Sequence, residues 1–186
     1  IQVHPCGTPG TGLMEMVRTS GRNRVFINEQ GNRFVNEGAA RDVLAKAIFA
    51  QPHSTYYVLV NHLRYPSLDW VDANGAKMKD MIDLGRVVSA PTLDELAKKL
   101  NMPVENLKKS IADYNAVVEG KAKDALGFQA NNKADKVMTE GPWYACKKVP
   151  TVHHTMGGLQ INTKAQVLDK NGKVIPGLYA AGETTG

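Results

Sequence analysis

Four side chains within the first 41 residues could together bind an acid and move a proton. Glu15 and Arg18 lie three positions apart in "EMVR", and His4 precedes them. Arg41 follows a loop, at the predicted start of a helix. Cations bind carboxylates through charge-assisted hydrogen bonds, and a Glu beside an Arg can pass a proton along. These residue types therefore favour a site that protonates a bound carboxylate, while ordinary surface ion pairs would use the same types.

Two adjacent histidines, His153 and His154, precede a glycine pair near the C-terminal end. Consecutive side chains on a strand point to opposite faces, so one imidazole is expected to face a ligand and the other the body of the protein. No third ligand lies at a spacing typical of a metal site. The sequence therefore predicts a binding role for these histidines and no metal.

Paired small residues, Gly157-Gly158 and Ala181-Gly182, lie near predicted strand ends. Such residues let the backbone approach a flat ligand or a pyrophosphate closely. The glycine-rich "GTPGTG" at residues 7–12 has a superficial likeness to a phosphate loop. It lacks the Gly-Lys-Ser/Thr ending that such a loop uses, so turns are the better interpretation there.

Amphipathic helices and short strands are the elements that must position these residues. Apolar residues recur at helical spacing over residues 39–51, and Pro52 stops the run. Residues 92–120 predict two helices, the first of which begins with a capping box of Thr92 and Glu95. The β-branched and aromatic "TYYVLVN" predicts a strand.

Two turns predict hairpins, one at residues 29–32 and one at Asn171-Gly172. Residues 121–139 are polar and predict irregular structure. Together these elements predict an α+β chain.

Composition narrows the function classes. The chain has 186 residues, 42% hydrophobic and 22% charged, which is typical of a globular protein. No apolar run reaches the roughly 20 residues of a membrane span. The formal charge of +5 comes from lysines spread over helix faces, such as Lys98, Lys99, Lys108 and Lys109, so we expect no nucleic-acid partner. The distant Cys6 and Cys146 indicate neither zinc nor thiol redox chemistry. Because the chain has no initiator methionine and no signal pattern, we interpret it as part of a longer gene product.

Three motifs in order, "GNRFVNEGAARD", "HHTMGG" and "GLYAAGETTG", resemble the flavoprotein family of fumarate reductases and flavocytochromes c, which includes urocanate reductases. The resemblance covers essentially the whole chain. It implies a Rossmann-type FAD domain interrupted by a mobile capping, or clamp, domain. Residues 1–4 would be an end strand of the FAD domain, residues 5–150 the capping domain, and residues 151–186 an incomplete C-terminal segment of the FAD domain.

The resemblance also implies roles for single residues. Arg41 matches the arginine that delivers a proton to the substrate, and Glu15 and Arg18 match the relay that resupplies it. His4 and His153 match ligands of the substrate carboxylate. FAD contacts are expected from the following residues: His154, Gly157, Gly158, Ala181, Gly182 and Glu183.

The implied reaction is reduction of the activated C=C bond of an unsaturated carboxylate such as fumarate, urocanate or an acrylate. Hydride comes from FAD N5, and Arg41 protonates the α-carbon. The electron donor would be a domain or protein outside this chain, and the compartment would be periplasmic or cytoplasmic. Because the dinucleotide-binding loop lies outside residues 1–186, the isolated chain is expected to bind FAD weakly and to be inactive.

One position departs from the fumarate reductase pattern. Those enzymes usually carry a threonine just before the relay glutamate, where this chain has Met14. A methionine cannot donate a hydrogen bond to a substrate carboxylate, so a less polar substituent could occupy that end of the site. His4 still favours a carboxylate, and the substrate stays open. Two alternatives to the reductase are a flavin dehydrogenase working in the oxidising direction and, for the isolated chain, a non-catalytic domain.

Overall fold

The structure is a computed structural model that describes residues 1–12, 14–72, 75–131 and 133–185. Within these ranges the strands are β1 (Gln2–Gly7), β2 (Val25–Ile27), β3 (Tyr56–Asn61), β4 (Val88–Ala90), β5 (Trp143–His154), β6 (Gln166–Leu168) and β7 (Val174–Tyr179). The α-helices are α1 (Arg41–Phe49), α2 (Met78–Asp83), α3 (Leu93–Leu100) and α4 (Val104–Val118). Two 3₁₀ turns cover Pro52–Ser54 and Gly182–Thr185. The chain is therefore a mixture of helix and sheet, as the sequence predicts.

β5 organises the larger sheet, whose order is β1-β5-β3-β2 with β4 also paired to β5. β3 runs antiparallel to β5, with Val58 opposite Cys146 and Val60 opposite Tyr144. β4 is antiparallel to the same part of β5, with Ser89 opposite Tyr144. The first half of β5 thus has a strand on each edge, so its backbone hydrogen bonds are satisfied in the core.

The two faces of this sheet belong to two separate cores. Val58, Tyr144 and Cys146 pack in one cluster, which also includes α1 and α2 residues such as Ile48 and Met78. The alternate strand residues pack in the other cluster with α3 and α4: Leu59, Trp143 and Ala145. Because side chains alternate along a strand, Tyr144 and Cys146 of β5 face the first cluster, whereas Trp143 and Ala145 face the second. Each face is covered by helices, and the sheet is the middle layer.

The helix and hairpin predictions can be compared with the structure directly. The helix predicted at residues 39–51 forms as Arg41–Phe49, and the predicted helix pair forms as α3 and α4. The predicted Asn171-Gly172 turn joins β6 to β7, which pair antiparallel. These predictions are confirmed. The hairpin at residues 29–32 is confirmed only in part, because its second arm is reduced to a single bridge between Ile27 and Arg33.

The chain divides into two compact units. Pro5–Thr151 forms the larger unit and contains both cores. Ile1–His4 and Val152–Gly186 form the smaller one. In the smaller unit Val167 is a buried hydrophobic residue, whereas every residue of β7 is exposed.

The capping box at the start of α3 gives the first prediction. Thr92 Oγ1 accepts a hydrogen bond from the Glu95 N–H at 3.2 Å, and lies 3.3 Å from Glu95 Oε1. Thr92→Ala removes this acceptor and leaves a helix N–H unpaired, so the free energy of unfolding should fall by about 1 kcal/mol. Urea unfolding measures the change, with Thr92→Ser as the control that keeps the acceptor. Equal stability of the alanine variant and the unmodified protein would exclude the capping role.

Glu29 gives a prediction about pH. Its carboxylate accepts hydrogen bonds from Lys147 Nζ at 2.9 Å and Thr55 Oγ1 at 3.0 Å, and lies 3.1 Å from His53 Nδ1. The Lys147 hydrogen bond is the main cause that lowers the pKa of Glu29 from 4.5 to about 2. A lowered pKa stabilises the folded protein above the unfolded-state value, and this stability is lost as the pH falls from about 4.5 through 2.

Glu29→Gln should therefore lower the urea midpoint at pH 7 and change it progressively less as the pH falls below 4.5. Midpoints measured from pH 7 to pH 3 give the comparison. A difference between the two proteins that stays constant over this range would contradict the assigned hydrogen bonds.

Candidate functional site

The segment of residues 14–18 carries three of the predicted site residues. Its two ends are exposed and its centre is buried. Met14 is 58% exposed and Arg18 is exposed, whereas Met16 and Val17 are buried in the first core. Val17 has φ of 64°, in the left-handed region. A β-branched residue adopts this conformation only when its surroundings enforce it. The buried pair thus anchors a tight turn that presents Glu15 and Arg18 on either side.

Glu15 forms its ion pair with Arg86, a residue 71 positions away in the sequence. Arg86 Nη1 donates to Glu15 Oε1, and the Glu15 side chain is 13% exposed. Glu15 Oε2 is buried and has no hydrogen-bond partner among the described residues. One carboxylate oxygen is therefore held by a cation, while the other retains its capacity to accept a proton or a hydrogen bond.

Arg41 is the first residue of α1 and is exposed. Burial raises the pKa of the Cys6 thiol, and the positive charges of Lys148, Arg41 and Arg18 act in the opposite direction. These three cations come from β5, the start of α1 and the turn at residues 14–18. The charges of Arg41 and Arg18 therefore both act on one thiol near the end of β1.

Arg18 also lines a cleft of about 280 Å³. The other lining residues are Met16, Arg64, Tyr65, Trp70 and Asp72. The Arg64 guanidinium lies over the Tyr65 ring at 5.6 Å, and the Tyr65 and Trp70 rings meet edge to face at 5.0 Å. Arg18 is exposed and lines this cleft, so its guanidinium is accessible from solvent.

In the smaller unit the predicted histidines cluster. The His4 and His153 rings are 5.1 Å apart between centroids, and the His153 and His154 rings are 4.8 Å apart. His154 Nδ1 lies 2.7 Å from the Thr155 carbonyl oxygen. A carbonyl can only accept, so Nδ1 carries the proton, and in the neutral ring Nε2 remains an acceptor. His4 and His153, the two predicted carboxylate ligands, are therefore brought side by side.

The predicted FAD contacts also come together in this unit. The Leu159 N–H, next to the glycine pair, donates to the Thr184 carbonyl at 2.8 Å, next to Gly182 and Glu183. Gly157 has φ of 105° and Gly182 has φ of 71°, and a Cβ at either position would meet no atom within 4 Å. Open backbone in the left-handed region that favours glycine fits a large flat group at close range, as FAD requires.

The remaining predicted contacts of this unit, Gly158 and Ala181, are exposed, as is Glu183. Among the described residues, no cluster of three or more His, Cys, Asp or Glu side chains could hold a metal ion. None of the helices in the described ranges has the length and apolarity of a membrane crossing.

Sequence reasoning missed two residues of this region, Arg86 and Lys148. Arg86 has no local signal, because its partner Glu15 is distant in the sequence. Lys148 is fully buried on the same face of β5 as Tyr144 and Cys146. Lys148 follows Cys146 by two residues and Tyr144 by four, and residues at even spacing on a strand share one face. This spacing would have predicted a core-facing lysine if the strand had been predicted.

Comparison with known proteins adds the family. A model of the FAD-binding domain family matches residues 1–186. The chain is 39% identical over 192 residues to NADH:acrylate oxidoreductase of Vibrio harveyi, covering 100% of the chain and 18% of that protein. It is 34% identical over 188 residues to urocanate reductase of Eggerthella lenta, covering 100% of the chain and 30% of that protein.

The open conformation of a flavocytochrome c3 fumarate reductase is similar in structure, with a TM-score of 0.75 and 37% identity over 100% of the chain and 31% of that structure. The chain thus spans less than a third of each of these three proteins.

Proposed function

Because the chain belongs to the FAD-binding domain family, we propose that it is part of a flavoenzyme that reduces the C=C bond of unsaturated carboxylates. The observation that carries this proposal is the Glu15 carboxylate, whose Oε1 is held by Arg86 while the buried Oε2 has no hydrogen-bond partner among the described residues. The relatives support the proposal, because their names describe reduction of acrylate, urocanate and fumarate.

Pro5–Thr151 is the capping domain in this proposal, and the smaller unit is a part of the FAD domain. Two features support the assignment. The larger unit has its own two-sided core, as a domain inserted into another requires. The smaller unit leaves apolar residues of β7 exposed, including Ile175, Leu178 and Tyr179. Such a strand is expected to pack against the remainder of an FAD domain.

FAD would be held in part by His154, Glu183 and the open backbone at Gly157 and Gly182, and when bound it supplies the hydride. His4 and His153 bind the substrate carboxylate through their ring N–H groups. Their positive charge, when protonated, stabilises the negative charge that develops on the substrate. The electron donor lies in a domain or protein outside this chain.

Arg41 delivers the proton to the α-carbon. A guanidinium has a pKa above about 12 and ordinarily keeps its proton. It can act as an acid only toward a strongly basic group, such as the carbanion-like α-carbon of the substrate after hydride addition, placed within reach of its N–H groups. The proton must then be replaced quickly. Glu15 supplies it through Oε2, while Oε1 is held by Arg86. In this proposal Arg18, which is exposed and lines the cleft of about 280 Å³, returns the proton to Glu15.

Met14 sets the substrate class in this proposal. Its thioether is exposed beside Glu15 and has no donor for a second carboxylate. The substrate therefore carries one carboxylate, with a less polar group at the other end, as acrylate and urocanate do.

Anaerobic reoxidation of the chemically reduced flavin in the complete flavoenzyme tests this function, with acrylate, urocanate and fumarate offered separately. We expect rapid reoxidation by acrylate or urocanate and slow reoxidation by fumarate. Met14→Thr should raise the rate of reoxidation by fumarate relative to the rates with the other two compounds. Fumarate as the sole oxidant would contradict the role of Met14. Flavin that stays reduced with all three compounds would favour a dehydrogenase instead.

A further inference from the structure

Lys148 is a fully buried lysine that the proposed reaction does not use. Its exposed fraction is 0%, and it faces the first core, like Tyr144 and Cys146 before it on β5. Burying an ammonium costs free energy unless its donors find partners. Packing alone therefore does not explain a lysine at this position. Its polar contacts indicate a role.

The contacts of Lys148 converge on the turn at residues 14–18. Lys148 Nζ donates to the Met16 carbonyl oxygen at 3.5 Å. Burial raises the pKa of the Cys146 thiol, and the charge of Lys148 and a hydrogen bond with it act in the opposite direction. Cys146 Sγ lies 4.0 Å from the same Met16 oxygen. No carboxylate among the described residues forms a salt bridge with Lys148. The partners of the ammonium are thus backbone and thiol.

The residue after Met16 is Val17, which has 0% exposure and the positive φ of 64°. For a β-branched residue this conformation is unfavourable, and it persists only if neighbouring contacts outweigh its cost. The Met16 carbonyl belongs to the peptide that joins Met16 to Val17. A donor on that oxygen fixes the orientation of the peptide and hence the φ of Val17.

We propose that Lys148 is a positioning residue that locks the strained turn at Met16 and Val17, and so holds Glu15 and Arg18 in register for proton delivery. The inference rests on the proposed function. The turn then has two anchors: Lys148 holds its backbone from the core, and Arg86 holds the Glu15 side chain. Loss of Lys148 leaves the Glu15–Arg86 pair in place. The peptide that joins Met16 to Val17, between Glu15 and Arg18, can then relax.

The adjacent lysine on β5 provides a matched control. Lys147 lies on the opposite face of the strand, is 38% exposed, and pairs with Glu29 at 2.9 Å. Lys147→Met and Lys148→Met therefore make the same chemical change at neighbouring positions of one strand. Only the second change touches the turn.

The experiment compares both variants with the unmodified complete flavoenzyme, using the enoate that reoxidises its flavin fastest. Lys148→Met should lower kcat about 10- to 100-fold with a smaller change in KM, because the change disturbs the proton relay of Glu15 and Arg18, whereas His4 and His153, which bind the carboxylate in the proposed function, lie outside the turn. Reduction of the flavin by dithionite should be unchanged, and the solvent deuterium isotope effect on reoxidation should increase. Hydrogen exchange should accelerate in peptides that cover residues 14–18. Lys147→Met should show none of these changes.

Normal kcat, isotope effect and exchange in Lys148→Met would overturn the proposal. So would equal effects of the two lysine variants. If Lys148→Met does not load flavin, Lys148→Gln serves instead, since it is neutral but keeps a donor, and the same slower reoxidation and faster exchange are expected to a smaller degree. Failure of the unmodified enzyme to reduce any enoate would refute the proposed function, whereas an active enzyme with an unaffected Lys148 variant would refute this inference alone.

Discussion

Replacing Arg41 by lysine in the complete flavoenzyme is expected to slow enoate reduction by about 10²- to 10⁴-fold. Lysine keeps the positive charge but loses the planar fork of donors and is shorter. Arg41 is the first residue of α1, so the shorter lysine side chain would start from the same helix end and its ammonium would stop short of the position of the guanidinium. The measurement is the rate of flavin reoxidation by a saturating enoate, together with flavin content to establish that FAD is still bound.

Arg22→Lys is the control for this change, since Arg22 is a half-exposed arginine of the same unit that pairs with Asp135. It should retain the rate of the unmodified enzyme. Near-normal turnover of Arg41→Lys would contradict the assignment of Arg41 as proton donor, because a proton donor must reach its carbon precisely.

The largest expected effect on stability comes from Arg33→Met. Arg33 bridges two buried carboxylates: Nη2 lies 2.8 Å from Glu37 Oε2, and Nη1 lies 2.5 Å from Asp124 Oδ1. The Arg33 side chain is 5% exposed, and the two carboxylates are buried more deeply still. Methionine fills part of the space but leaves two negative charges unpaired. The free energy of unfolding should fall by about 3–5 kcal/mol.

Urea unfolding followed by tryptophan fluorescence measures this loss, because Trp143 is buried in the second core. Lys109→Met breaks the exposed pair with Asp113 and should cost less than about 0.5 kcal/mol. If the two variants lose similar stability, Arg33 does not serve as the buried bridge described here.

Local patterns account for the elements that could be predicted from the sequence. α3 and α4 have continuous apolar stripes and recognisable ends, and the hairpin of β6 and β7 has an Asn-Gly turn. β5 could not be predicted in this way. It is buried on both faces over its first residues, so it lacks alternation, and it then carries two lysines and Pro150. Its identity as the organising strand depends on pairing with distant segments.

The same limit applies to the candidate site. The resemblance to flavoproteins implied roles for Glu15, Arg18 and Arg41 individually, but the partner of Glu15 is set by tertiary structure. Arg33 in the core is a second example of a partner that the sequence does not indicate. Its partner Glu37 lies four residues away, whereas its other partner, Asp124, lies 91 residues away. Long-range ion pairs leave no signal in a single sequence, since either partner looks like an ordinary surface charge.

Reduction of an enoate C=C bond by the flavin can be tested in a single-turnover experiment on the complete flavoenzyme, with its flavin fully reduced and no electron donor present. One equivalent of acrylate or urocanate is added without oxygen, and both the flavin spectrum and the organic product are followed. If the chain is part of an enoate reductase, the flavin should be fully reoxidised, with one saturated carboxylate formed per flavin. Flavin that remains reduced, or that is reoxidised without formation of the saturated product, would contradict this function.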